Sequence, residues 1–178
     1  MLKLAEVQNN NLIEYGRWIK QAKHDLDAAK WSSKGKFYDT TCFQAQQAAE
    51  KALKAYLLLQ RKRIIVHSVY HLLRECIHFN KKFANLTPLG QKLDKYYIPT
   101  RYPDGLPTGT PQDYFTLEDA EETIQAAKKI ILFVETLQKS DEQIWDHIMN
   151  RPKNLTDKEA MEMKKHVKQL RSEKGFRM

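Results

Sequence analysis

The run from Phe43 to Tyr56 consists almost entirely of strong helix formers, and Cys42, Ala45, Ala49, Ala52, Leu53 and Tyr56 recur in it at three- and four-residue spacing. Most of the side chains on that stripe are single methyl groups, so neighbouring helices can approach the axis closely. A chain with such a segment is organised as helices packed around it. Gln46, Gln47, Glu50, Lys51 and Lys54 are expected to project beyond the alanines, and Glu50 precedes Lys54 by four residues, the favourable order for a helical ion pair.

Amphipathic patterns on either side supply the packing partners. A first helix is expected over about Leu12 to Ser32, carrying Tyr15, Trp18, Ile19, Ala22, Leu26 and Ala29 on one face, with Ser33-Lys34-Gly35-Lys36 as its break. The central helix then runs from about Tyr38 to Gln60, and the basic, β-branched stretch Arg61 to Val66 reads as a connection. Ser68 is a suitable N-cap for a third helix reaching about Asn80, and Thr87-Pro88 opens a short fourth. Between Ile98 and Phe115, Pro99, Pro103, Pro107 and Pro111 with Gly105 and Gly109 leave no room for a long helix or a central strand, and the tyrosines and single arginine favour an ordered loop. Thr116 caps a last long helix through about Leu137.

No segment alternates with the period of a strand. The predicted fold is therefore all-α: an antiparallel up-and-down bundle of four to five helices over residues 12–138, with residues 1–11 as an N-terminal extension. Residues 139–178 read as a C-terminal helical extension, because Ser140 with Gln143 and Thr156 with Glu159 form two capping-box patterns.

The formal charge of +8, from 30 Lys and Arg against 22 Asp and Glu, favours an anionic partner. Cys42 and Cys76 are far apart and suit buried thiols in a reducing compartment. With no long apolar run in the sequence, the expectation is a cytoplasmic protein without a membrane partner. His67, His71 and His78 share one helix side but lack an H-E-x-x-H pattern, so neither a metal nor a cofactor is expected. P-loop, GxGxxG and GxSxG motifs are absent.

Three stretches together resemble the HEPN domain family: Gln46-Gln47-Ala48-Ala49-Glu50-Lys51-Ala52-Leu53-Lys54-Ala55, the His67 that opens a helix carrying Leu72-Leu73, and Thr100-Arg101-Tyr102-Pro103-Asp104. The resemblance implies a small helical bundle, usually a homodimer, that binds nucleotides or nucleic acid and often partners a minimal nucleotidyltransferase. One branch of that family consists of metal-independent RNases acting as toxins of toxin–antitoxin pairs.

A nucleotide site needs cations for phosphate and a planar or hydrogen-bonding surface for the base. Lys51, Lys54, His67, Arg101, Tyr102 and Asp104 are the candidates. Arg101 suits bidentate contact with phosphate, or equally a clamp on an internal carboxylate such as Glu50 or Asp104. Tyr96, Tyr97 and Tyr114 suit either stacking on a base or locking the loop to the core.

The leading expectation is a non-catalytic module that binds a nucleotide or related phosphate-bearing anion. In the alternative RNase reading, which admits RNA as partner, Arg61 and His67 are catalytic; five residues separate them, within the family's spacing. A third reading is a protein-interaction module that uses the Met-bearing C-terminal segment.

Overall fold

The computed structural model describes residues 2–149, with side chains from residue 10 to residue 139. Six α-helices are found there: α1 (Leu2–Lys34), α2 (Tyr38–Leu59), α3 (Val69–Ile77), α4 (Thr87–Asp94), the single-turn α5 (Pro111–Tyr114) and α6 (Leu117–Met149). Short 3-10 turns occupy Lys81–Leu86 and Pro103–Gly105, and no strand occurs among the described residues. The all-α bundle expected from the sequence is the one observed.

Helix α2 lies at the centre. Ala45, Ala48, Ala49, Ala52 and Ala55 are all fully buried, on more than one side of the helix, which is why α1, α3 and α6 can all pack against it. Ser32 bonds Gln44 and Lys51 bonds Asp25, so α1 runs antiparallel to α2. A strap, residues 61–68, carries the chain back along α2 before α3 begins. As a result α6 runs in the same direction as α2: Ala120 packs with Cys42 at one end, and Phe83 packs tilted against Tyr56 and edge-on to Phe133 towards the other.

Left-handed residues close α1 and α2. Gly35 is the expected end of α1, yet it is Lys36 that takes the left-handed conformation, with φ of 64°. The amide of Phe37 bonds back to the Ser32 carbonyl and that of Lys36 to Ser33, the Schellman pattern. Arg61, φ 59°, closes α2 in the same way, with Lys62 bonding to Leu57 and Arg61 to Leu58. The expected break near Lys139 is missing, and Ser140 and Gln143 lie inside α6. Residues 137–143 contain neither Gly nor Pro, so nothing stops helix propagation once α6 has formed. Likewise α1 starts at Leu2 rather than near Leu12. The helix expected from Thr156 onward lies outside the described residues.

Loop 95–116 is tied down at its two ends. The Thr100 hydroxyl donates to the Tyr96 carbonyl, and the Tyr96 hydroxyl donates to Asp119 at 2.8 Å. Asp119 also accepts from the amide and hydroxyl of Thr116, and its own amide bonds the Thr116 oxygen, a reciprocal cap on α6. Burial works to raise the Asp119 carboxyl, but the Thr116 amide, the Thr116 hydroxyl and the Tyr96 hydroxyl outweigh it and hold the group below the usual carboxylate range. Burial and the neighbouring Asp119 push the Tyr96 phenol up, and burial pushes the Cys42 thiol up to about 12.

Because the folded-state value of Asp119 is depressed, its contribution is present above the unfolded carboxylate range and is lost as pH falls through the folded value. Urea midpoints of the parent and Asp119→Asn should therefore converge as pH drops below about 5. A gap that stays constant down to acid unfolding would contradict this role.

Candidate functional site

Glu50 is the polar centre of the molecule. It is 3% exposed, and its carboxylate accepts from Lys54 at 2.8 Å, from Gln47 at 3.2 Å and, at 3.4 Å, from Gln46; the His67 Nδ1 lies 3.2 Å away. A buried carboxylate survives only with such pairing. Gln46, fully buried, also donates to the His67 carbonyl at 2.9 Å and accepts from Gln47, so the start of α3 is fastened to α2 from both backbone and side chain. Sequence periodicity put Gln46 and Glu50 on the projecting side of α2. The strap and the α3 N-terminus cover that side.

Ser68 is the cap expected for α3, accepting from the His71 amide at 3.0 Å. Asp94, at the end of α4, completes the arrangement by accepting from the Ser68 hydroxyl and the Val69 and Tyr70 amides. Gly90 allows α4 to come this close: a Cβ there would sit 2.7 Å from Leu73 Cδ1 and 2.9 Å from both Cα and N of Tyr70.

Beyond Glu50, the cluster extends through aromatic rings. The His67 ring stacks on Tyr97, with centroids 5.2 Å apart and planes 14° off parallel. The Arg101 guanidinium carbon lies 4.5 Å from the centroids of Tyr97 and Phe43 and 5.2 Å from that of Tyr102. Its Nε donates to the Tyr97 carbonyl at 2.9 Å. Among the described residues no carboxylate pairs with it, so Arg101 clamps neither Glu50 nor Asp104. Among the described residues its terminal nitrogens have no hydrogen-bond partner, and the surrounding rings hold the guanidinium in place.

The remaining candidates are divided by the structure. Lys51 pairs with Asp25 at 2.5 Å and Lys54 with Glu50, so both are neutralised inside the bundle. Tyr102 is 48% exposed beside Arg101, while Asp104 is exposed on the Pro103–Gly105 turn. Arg61 terminates α2 at Leu59, nine residues beyond Glu50, which places it about 13 Å along the axis from the level at which His67 meets α2. The structure thus brings His67, Arg101 and Tyr102 around Tyr97 and sets Arg61 apart. Phe43 escaped sequence reasoning as a site residue. Its ring at position 43, on the buried helix and away from the alanine stripe, was the available signal. Among the described residues no three His, Cys, Asp or Glu side chains cluster as a metal site, and no helix is long and apolar enough to cross a membrane.

The family model of the HEPN domain matches residues 15–137. The chain belongs to the HEPN family. This HEPN chain is 31% identical over 129 residues to a Methanocaldococcus jannaschii protein described as a "putative toxin", a match that covers 67% of this chain and 85% of the relative. Among solved structures it resembles a Thermus thermophilus protein at 40% identity and TM-score 0.64, over 69% of this chain and 97% of that one. An archaeal HEPN homologue follows at 37% identity and TM-score 0.60, over 70% and 97%. A Thermotoga maritima HEPN domain protein matches at 33% identity and TM-score 0.57, over 69% and 98%. The HEPN match ends within α1 and α6, whose outer turns extend past it at residues 2–14 and 138–149.

Proposed function

We propose that this HEPN chain binds a phosphate-bearing anion, a nucleotide in the first instance, at Arg101. The observation that carries the proposal is the Arg101 guanidinium held among Phe43, Tyr97 and Tyr102 with its terminal nitrogens unpaired. Stacking fixes the fork without consuming its donors, which lowers the ordering cost of a bidentate phosphate contact. Tyr102 offers a ring for a base and His67 a further hydrogen-bonding edge, while Lys51 and Lys54 support the site from behind through Asp25 and Glu50. In this reading the chain acts as a homodimer and serves a partner such as a minimal nucleotidyltransferase.

Calorimetric titration with AMP and ATP should give binding in the millimolar range or tighter, weakened at least tenfold in Arg101→Ala and unchanged in Lys128→Ala. Absence of binding by the parent protein would overturn the proposal.

A second reading is favoured by the archaeal relative described as a toxin: cleavage of RNA without metal. In that reading His67, oriented by Glu50, moves the proton. The same preparation incubated with RNA in EDTA tests it. Cleavage that disappears in His67→Ala would establish it, and an intact substrate would exclude it.

A further inference from the structure

Helices α1 and α6 outrun the bundle. The Ser32–Gln44 and Lys51–Asp25 contacts set the register of α1 against α2 and bring Leu59, the last residue of α2, level with Arg17. Lys23 bound to Glu135 sets α1 against α6. The outer turns, residues 2–14 and 138–149, therefore run on together past the end of α2.

On the inner side of α1 the stripe Tyr15, Ile19, Ala22, Leu26 and Ala29 is buried, chiefly under α2 and α6. Leu12 continues that stripe at the same spacing, yet it is 44% exposed, and Ile13 beside it is 54% exposed. Gly16 lies between these two on the helix surface, and a Cβ there would meet nothing within 4 Å. Glycine inside a helix weakens it, and its use is to let another element come close, as Gly90 does for α4.

Residues 150–178 follow from the tip of this extension and lie outside the described residues. In their sequence the Thr156 and Glu159 capping box precedes Ala160, Met163, Val167 and Leu170 at i, i+3, i+7 and i+10, and Gly175 stands where a helix would end. Residues 150–155, with Pro152, have the length that joins antiparallel helices. A helix from Thr156 to Leu170 is about 22 Å long, against about 18 Å for the outer turns of α6. Charge is complementary as well. Residues 150–178 hold nine Lys and Arg against four acidic residues, whereas the outer turns of α1 and α6 hold two Lys against five acidic residues.

We infer that residues 156–174 fold back as a helix onto the outer turns of α1 and α6, taking beside them the place that α2 holds further in. The stripe from Ala160 to Leu170 covers Leu12, Ile13 and Gly16, and its far end returns to the level at which α2 stops. The HEPN match spans residues 15–137, so this third helix is an addition of the chain to the family's bundle. It does not involve Arg101, and its failure would leave the nucleotide reading untouched.

The experiment is hydrogen exchange of the full chain followed by mass spectrometry, comparing the parent with Met163→Asp combined with Val167→Asp. Amides of residues 6–14 should exchange at least tenfold faster in the variant, while those of residues 45–56 in α2 keep the parent rate and so report an intact bundle. Gln169→Asp with Ser172→Asp adds the same charge on the opposite side of the segment and should change exchange at residues 6–14 less than twofold. Parent rates should also hold constant over a fiftyfold range of protein concentration. Exchange at residues 6–14 that is indifferent to Met163 and Val167, or equally raised by both pairs, would overturn the inference. Protection that grows with protein concentration would assign the face to a second copy of the chain and overturn it too.

Discussion

Glu50→Ala should cost about 3–5 kcal/mol of folding stability, the range seen when one partner of a buried ion pair is removed. Lys54 is left behind with its side chain 12% exposed, and Gln47 loses its carboxylate acceptor. For a chain of this size that loss corresponds to a fall in melting temperature on the order of 10 °C. Glu50→Ala combined with Lys54→Met should recover a substantial part of it, because the orphaned ammonium is gone. The measurement is urea unfolding of the parent, both single variants and the double. A cost below about 1 kcal/mol for Glu50→Ala would show that water reaches Lys54 and that the cluster is a surface feature.

Gly90→Ala acts on the same region by overpacking. Its added methyl would meet the Tyr70 backbone at 2.9 Å as well as the Leu73 side chain at 2.7 Å, and backbone cannot swing aside as a side-chain tip can. Helices α3 and α4 must separate, at about 1–3 kcal/mol. Separation also draws Asp94 away from Ser68, Val69 and Tyr70, which loosens the N-terminus of α3 and the adjoining His67. Thermal unfolding and nucleotide titration of Gly90→Ala should therefore both deteriorate. Retention of full stability would mean that α4 shifts freely, and the Asp94 contact would then not be what fixes His67.

Much of this was legible locally. The Ser68 cap, the break before α2 and the loop between Ile98 and Phe115 are written in single residues whose chemistry acts within one turn. The resemblance carried by Gln46 to Ala55 and by Thr100 to Asp104 led to the family that the domain match shows. What escaped was set by contacts distant in the sequence. Nothing near Lys51 announces Asp25, twenty-six positions away, and nothing near Arg101 announces Phe43. Gln46 and Glu50 read as surface because α2 was judged by one stripe, yet Ala48 and Ala55 off that stripe already indicated burial on further sides. The continuous α6 has a different cause: a capping pattern marks where a helix can begin, and it has no power to interrupt one already formed.

Helices α1 and α6 are 33 residues each, about 50 Å, and Lys23 with Glu135 pins them antiparallel. Arg101 lies over Phe43, which neighbours the Ser32–Gln44 contact near the opposite end of α1 from Leu2, with about 45 Å of helix in between. A dye attached at Leu2 is thus carried on a long helix well clear of the Arg101 site. That geometry suits the chain to distance measurements by energy transfer, in which a donor on the rod and an acceptor on the added nucleotide report occupancy without touching Arg101.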